Sequence, residues 1–330
     1  MGYIQDIIGH KDIIKHLDNA VARGKVSHAY IFNGEDGMGK TSLARALSKV
    51  VQCQEEPRPC NQCVSCKQIE TANHPDVIFV THEKASIGVD DIREQVNADI
   101  QIKPYKGPYK IYIIDEAEKL TQQAQNALLK TIEEPPEYAL IILLVNNIDA
   151  MLGTILSRSV VLNLKPVEKE KIKNFLMTKH HVPDYLAETA ATFSGGNVGK
   201  AIKYALSGDF ERLKGDVLHI LKYIDQMELS ELIKGVKTIS ENKASLEDTI
   251  DLMILWYRDV LMFKATNNPD MLLYKEDISV LKRQASHISY EGLQGIIKAM
   301  EKAKKRILSN VNPEIAIELM LLNIKENYND

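Results

Sequence analysis

The sequence is poor in aromatic side chains and has no long apolar run. Phe, Trp and Tyr make up 6% of its 330 residues, and so low a fraction favours helices over the β-sandwich class. The longest strictly apolar run, Ala139 to Val145, has seven residues, whereas a helix that crosses a bilayer needs about 20. The N-terminal residues show no basic segment followed by an apolar one. We therefore expect no secretion signal, no membrane partner and a cytoplasmic location.

Neither sign of charge dominates the chain. It has 41 Lys and Arg against 45 Asp and Glu, for a net charge of −4. A protein that coats nucleic acid along its whole surface would be basic, so any contact with DNA would come from a local patch. Hydrophobic residues at 45% and charged residues at 26% are typical of folded globular proteins. At roughly 150 residues per domain, the length predicts two or three domains.

Cysteine is scarce and confined to one segment, 53–66, with the spacing C-x₆-C-x₂-C-x₂-C. In a reducing compartment such a cluster predicts a metal site rather than two disulfides. Four thiolates suit tetrahedral Zn²⁺ and leave no position open for catalysis, so we expect a structural zinc site. An iron–sulfur cluster is the alternative, although no further cysteine follows at the ferredoxin spacing. The four predicted ligands are Cys53, Cys60, Cys63 and Cys66.

Short apolar runs alternate with amphipathic segments in the first half of the chain. This alternation is typical of an α/β fold with a parallel sheet covered on both faces. After Pro166 the pattern is helical. We predict an α/β nucleotide-binding domain over 1–165 with the cysteine module inserted, a small helical lid over 166–207, and an all-helical domain over 208–330. The predicted strands are His28–Phe32, Val77–Val80, Lys110–Ile114, Ala139–Val145 and Ser159–Leu164.

A complete phosphate-binding motif, G-x-x-x-x-G-K-[ST], follows the first predicted strand and opens a predicted helix. Gly34, Gly37 and Gly39 would let backbone amides curl around a phosphate without Cβ clashes. Lys40 would reach the β- and γ-phosphates, and Thr41 would offer its hydroxyl to Mg²⁺. The motif therefore predicts binding of ATP with Mg²⁺.

Polar side chains follow two further predicted strands. Asp115 and Glu116 come after 110–114, where Asp115 could hold Mg²⁺ and Glu116 could activate a water. The alternative is that both acids simply favour a helix N-terminus. Asn146 and Asn147 end the strand over 139–145. They would either contact the γ-phosphate or form an ordinary strand-ending turn, and the sequence leaves both interpretations open.

These motifs resemble those of the clamp-loader ATPases of the AAA+ class in bacterial DNA polymerase III. The resemblance also includes His74–Val77, the segment Asn126–Pro136 (NALLKTIEEPP) and the pair Ser157-Arg158. The resemblance covers about residues 1–210. It implies a collar formed by the C-terminal helices and a hetero-pentameric ring with gamma/tau and delta subunits. Such a ring loads the sliding clamp onto primer–template DNA. The family is classed with the DNA-directed DNA polymerase, without polymerase chemistry in this chain.

The same resemblance implies a role for Arg158. In the family a Ser-Arg-Cys segment places an arginine finger in a neighbour's ATP site, and here the arginine is kept while Ser159 replaces the cysteine. Motor subunits also carry an arginine near the start of the last lid helix, where this chain has Gly199. The adjacent Lys200 is offset by about 100° on a helix. This departure implies an accessory subunit that binds ATP without efficient hydrolysis.

Two other functions stay open from the sequence. One is a self-sufficient AAA+ motor, such as a gamma/tau-type subunit or a DNA-remodelling helicase, against which Gly199 argues. The other is a small-molecule phosphotransferase with a zinc-bearing lid, which the helical regions and the segment 126–136 do not suit.

Overall fold

A computed structural model of the chain describes residues 7–241, 246–309 and 311–328. The chain divides into two compact units, the first ending at Lys203 and the second beginning at Tyr204. The division lies inside a helix, Val198–Leu206. The finer division into three domains, with bounds at 165 and 207, stays a prediction.

The first unit contains a five-stranded parallel sheet, as the strand–helix alternation predicted. The strand order is β2-β3-β4-β1-β5, and each neighbouring pair runs parallel. Three strands keep their predicted bounds, and the other two are shifted or shortened at their ends. The strands are β1 Ala29–Asn33, β2 Val77–Val80, β3 Lys110–Ile114, β4 Ala139–Val145 and β5 Val160–Asn163.

Helices cover both faces of this sheet because successive strand residues point to opposite sides. In β4, Ile141 and Leu143 belong to one apolar cluster with Leu128, whereas Leu140 and Ile142 belong to the other. The helices of the unit are α1 Lys11–Ala22, α2 Lys40–Gln52, α3 Val64–Glu70, α4 Val89–Ile92, α5 Gln122–Glu133, α6 Gly153–Leu156, α7 Lys169–His180, α8 Asp184–Phe193 and α9 Val198–Leu206.

The amphipathic pattern over residues 89–100 predicts a single α-helix, and this prediction was wrong beyond Ile92. After α4 the backbone forms a π turn over Arg93–Asn97. The Nδ2 of Asn97 donates to the carbonyl of Ala127 at 3.1 Å, and its Oδ1 accepts from the hydroxyl of Thr131 at 2.9 Å. These contacts with α5 depend on the tertiary fold, and they hold Asn97 in the wider turn.

The second unit is helical throughout its described residues, as predicted. Trp256 and Tyr257 are fully buried in its core, and the indole of Trp256 donates to Oε1 of Gln284 at 2.7 Å. Among the described residues, no helix combines the length and apolarity that crossing a membrane requires. The helices are α10 Phe210–Tyr223, α11 Leu229–Glu241, α12 Leu246–Thr266, α13 Ile278–His287, α14 Tyr290–Leu308 and α15 Pro313–Glu326.

Candidate nucleotide and metal sites

One edge of the sheet brings the predicted phosphate-site residues together. Strand β4 pairs with both β1 and β3, so the carboxyl ends of all three strands meet at this edge. The phosphate-binding loop, 34–39, follows β1, Asp115 follows β3, and Asn146 follows β4. Residues that are far apart in the chain thereby border one crevice.

Lys40 is the central cation of this crevice and is only 6% exposed. Its Nζ donates to the carbonyl oxygens of Gly34 at 2.7 Å and Glu35 at 3.1 Å. It also lies 3.4 Å from Oδ1 of Asp36 and contacts Oδ1 of Asn146. The ammonium group is therefore held at the loop by oxygen atoms from two strand ends.

A cavity of about 340 Å³ opens beside the loop. Gly37 and Gly39 shape the loop with φ of 83° and 96°, values that strongly favour glycine. Both polar and apolar residues line the cavity, which suits a ligand with a charged part and an apolar part. The polar lining runs from Asp36 through Thr41 to Ser42 and includes Asp115, and the apolar lining comprises Ile7, Ile8, Phe175, Val198 and Ile202.

The two acids after β3 differ in their surroundings. Asp115 lines the cavity, and its Oδ1 accepts the amide of Glu116 at 2.9 Å. Glu116 adopts a positive φ of 50° and is absent from the described lining of the cavity. Its carboxylate pairs with Nζ of Lys119 at 2.6 Å and lies 3.9 Å from Nε2 of His82. The structure therefore places Asp115 at the crevice and holds Glu116 against a lysine.

The two asparagines after β4 also differ in their contacts. Asn146 contacts Lys40, while Oδ1 of Asn147 accepts the amide of Asp149 at 3.0 Å. The structure thus places Asn147 in a strand-ending turn, the interpretation that the sequence could not separate from a phosphate contact.

The start of helix α9 lies directly against the loop. The amide of Gly199 donates to the carbonyl of Gly37 at 2.8 Å. A Cβ atom added at Gly199 would lie 2.6 Å from Cα of Gly37, a distance that side chains do not tolerate. An arginine at position 199 therefore has no room in this arrangement.

Two loop contacts were missed by sequence reasoning. His10 and Asn197 each bond a loop carbonyl, and neither belongs to a motif that would have indicated this. Burial lowers the pKa of His10, while its hydrogen bond with Met38 acts in the opposite direction.

Arg158 lies at the surface, two residues beyond α6, with its side chain 41% exposed. Its Nη2 is 3.1 Å from Oε1 of Glu133, at the end of α5. Its Nη1 donates to the carbonyl of Thr154 at 3.1 Å and to the hydroxyl of Ser157 at 3.2 Å. The guanidinium is thus held in place while part of it faces solvent.

The four cysteines converge as predicted, with all sulfur atoms within 4.8 Å of one another. The Cys53–Cys63 and Cys60–Cys66 sulfur pairs are both 4.0 Å apart. Tetrahedral zinc with Zn–S bonds of about 2.3 Å would place its sulfurs about 3.8 Å apart, so the group fits such an ion. Backbone amides, that of Gln62 foremost, lower the pKa of the Cys60 thiol, whereas burial raises the pKa of Cys66.

Comparison with known families gives two consistent matches. Residues 9–168 match the family described as DNA polymerase III, delta subunit. Residues 217–326 match the family described as DNA polymerase III, delta subunit, C terminal. Together the two matches span more than half of the chain and include parts of both compact units.

Two relatives identified by sequence agree with these matches. DNA polymerase III subunit delta' of Bacillus subtilis is 29% identical over 95% of this chain and 95% of its own length. Subunit tau of the same organism is 30% identical over 97% of this chain. The chain spans only 61% of the length of that relative. A solved DNA polymerase III gamma subunit-related protein from Thermotoga maritima has a TM-score of 0.47 at 20% identity, covering 94% of this chain and 99% of that one. The chain belongs to the DNA polymerase III clamp-loader subunits.

Proposed function

We propose that this chain is the delta-prime-type accessory subunit of a clamp loader, and that it presents Arg158 to ATP bound by a neighbouring subunit. Its neighbours would be gamma/tau motors and a delta subunit in a five-membered ring, held together through the C-terminal helices. The ring would load a sliding clamp onto primer–template DNA in the cytoplasm. The observation that carries this proposal is the exposed, tethered guanidinium of Arg158 in a clamp-loader family member.

The surroundings of Arg158 suit a role in trans. Glu133, Thr154 and Ser157 orient the guanidinium, yet it stays partly exposed. A guanidinium can bind phosphate oxygens with two parallel hydrogen bonds. In phosphoryl transfer it stabilises the negative charge that develops on the transferred group. Arg158 would therefore act on a neighbour's γ-phosphate.

For its own loop we propose binding of ATP with Mg²⁺ and weak hydrolysis. Lys40 and the loop amides of Gly37 and Gly39 would hold phosphates, while Thr41 and Asp115 would hold the metal ion. Two observations support weak hydrolysis. The carboxylate of Glu116, the candidate base, pairs with Lys119. Position 199 carries no side chain and is packed against the loop.

We also propose that the cysteine cluster holds one structural zinc ion. The sulfur separations support this assignment. Its four thiolates would fill the coordination sphere, so the ion would stabilise the segment 53–66 and take no part in phosphoryl transfer.

A self-sufficient motor is the second candidate, because the chain is also 30% identical to a tau subunit. A motor would turn over ATP at about 1–100 s⁻¹. Steady-state phosphate release by the purified chain separates the two candidates, since an accessory subunit would release phosphate far more slowly.

The experiment that tests the finger is Arg158→Ala in the reconstituted loader. Removal of an arginine finger is expected to slow single-turnover hydrolysis at the neighbouring motor site by about 10³-fold or more. Assembly, followed by size-exclusion chromatography, should not change, since Arg158 is tethered only by contacts at the surface.

The matched control is Arg93→Ala, which removes another exposed arginine with an acidic partner, Asp90 at 3.6 Å. We expect hydrolysis to be unchanged by this control. An Arg158→Ala loader with the unchanged rate would eliminate the finger role.

A further inference from the structure

The carbonyl groups of residues 34–38 in the phosphate-binding loop are all bonded to protein donors. Lys40 holds the first two, those of Gly34 and Glu35. The next three are held from outside the loop. Nδ2 of Asn197 donates to the carbonyl of Asp36 at 2.7 Å, the amide of Gly199 donates to that of Gly37 at 2.8 Å, and Nε2 of His10 bonds that of Met38 at 3.1 Å.

These outer contacts also fix the direction of the loop amides. In a trans peptide the C=O and N–H groups point to opposite sides of the same rigid plane. Holding the carbonyl of Asp36 toward Asn197 therefore turns the amide of Gly37 away from Asn197. Holding the carbonyl of Met38 toward His10 turns the amide of Gly39 away in the same manner. Successive amides arranged in this way form the concavity that binds anions.

Asn197 is the residue on which this arrangement depends most. Its side chain is buried, with 1% exposure, and it joins two elements. Its Oδ1 accepts the amide of Lys200 at 3.1 Å and so caps α9, while its Nδ2 bonds the loop. A Cβ atom added at Gly37 would lie 2.5 Å from Oδ1 of Asn197. The cap of the helix and the loop are thus in direct contact.

We infer that Asn197 is a positioning residue for the phosphate-binding loop, which it holds, with His10 and Gly199, in the form that receives a nucleotide's phosphates. The contact leaves the cavity open, because Val198, Gly199 and Ile202 line it without filling it. The loop conformation held by these contacts is therefore the one that binds nucleotide. Because the loop is already ordered before binding, less free energy is lost in ordering it. This inference rests on the proposed binding of nucleotide by this chain.

The test is Asn197→Ser in the full-length chain. Serine is neutral and caps helices well, but it is too short to reach the carbonyl of Asp36. Loss of the buried hydrogen bond should raise the Kd for MgADP about 10-fold. The Kd for adenosine, which has no phosphate, should not change. Isothermal titration calorimetry measures both constants, and a residue that merely supports the lid would shift them equally.

Asn312→Ser is the matched control. Asn312 caps α15 through a hydrogen bond from the amide of Glu314 at 2.9 Å and lies in the second unit, so its replacement should leave both constants unchanged. Gly199→Ala should raise the Kd for MgADP as well, whereas Gly215→Ala, at a helical glycine whose added Cβ meets nothing within 4 Å, should not.

The possible failures are distinguishable. An unchanged Kd for MgADP in Asn197→Ser, or an equal increase for MgADP and adenosine, overturns the positioning role while the nucleotide site stands. If the wild-type chain binds no MgADP, or binds it equally well after Lys40→Ala, the nucleotide site itself is wrong and the positioning role fails with it. The role of Arg158 is independent of both results.

Discussion

Buried His74 accepts a backbone hydrogen bond within a loop of the first unit. Its Nδ1 accepts the amide of Asp76 at 3.1 Å, so this nitrogen carries no proton. The buried carboxylate of Asp76 in turn accepts the amides of Tyr105, Lys106 and Gly107. Because burial is the main influence, the pKa of His74 is lowered from its usual value of 6.5. Protonation would place a second donor against the amide of Asp76.

The stability of the protein should therefore fall on acidification. Below pH 6.5, and down to the lowered pKa of the folded state, the unfolded chain binds more protons than the folded one, so stability rises with pH in this range. In urea unfolding between pH 7.5 and 5, His74→Asn should weaken this dependence, since an asparagine oxygen can accept the same amide and does not titrate. His10, whose pKa is also lowered by burial, should contribute in the same direction. An unaltered pH dependence in His74→Asn would rule out this role of His74.

For single residues, the sequence predicted the surroundings of those side chains whose neighbours are set by their spacing in the chain. Lys40 follows its loop by a fixed number of residues, and the cysteines lie within one short segment, so both environments could be predicted. The roles of Glu116 and Asn147 could not be separated from their alternatives. Each depends on a local contact, with Lys119 or Asp149, that no periodicity encodes.

Among the elements, the cysteine segment forms a bridge between two helices. Cys53 directly follows α2, and Cys63 directly precedes α3, where its sulfur accepts the amide of Cys66. Lys49 of α2 and Glu70 of α3 form an ion pair, which lowers the pKa of Glu70. A metal ion held by all four sulfurs would fasten both helix ends to one point.

Removing one of these sulfurs should release the metal and loosen the bridge. We expect about one zinc per wild-type chain by elemental analysis and much less in Cys66→Ser. The variant's Tm should fall by about 4–8 °C, which corresponds to about 2 kcal/mol for a domain of this size. Val64→Ser, at a 62% exposed neighbour, should keep the metal and the Tm. Full zinc in Cys66→Ser, or a brown protein containing iron, would refute the assignment.

The strands and most helices could be predicted because burial on both faces produces uninterrupted apolar runs, as in β4. The π turn after α4 could not be predicted, because it depends on hydrogen bonds with the carbonyl of Ala127 and the hydroxyl of Thr131 in α5. The contact of Gly199 with Gly37 could not be predicted from the sequence either. The sequence shows only that position 199 has no side chain, whereas the structure shows that the phosphate-binding loop leaves no room for one.

For the molecule as a whole, the sequence predicted an α/β unit followed by helices, and both are present. The family matches extend over both units, in agreement with the motif-based resemblance over about residues 1–210. The division into three domains and the ring of five subunits stay predictions. Both concern how parts of a protein or an assembly are arranged, whereas residue patterns report local structure and burial.

We propose that this chain serves a neighbour's triphosphate more than its own. The most direct test of this claim is the steady-state ATPase rate of the reconstituted loader, with this chain carrying either Arg158→Ala or Lys40→Ala. We expect a severalfold lower rate with Arg158→Ala and a rate close to that of wild type with Lys40→Ala. The reverse pattern, with Lys40→Ala abolishing most turnover and Arg158→Ala sparing it, would contradict the claim.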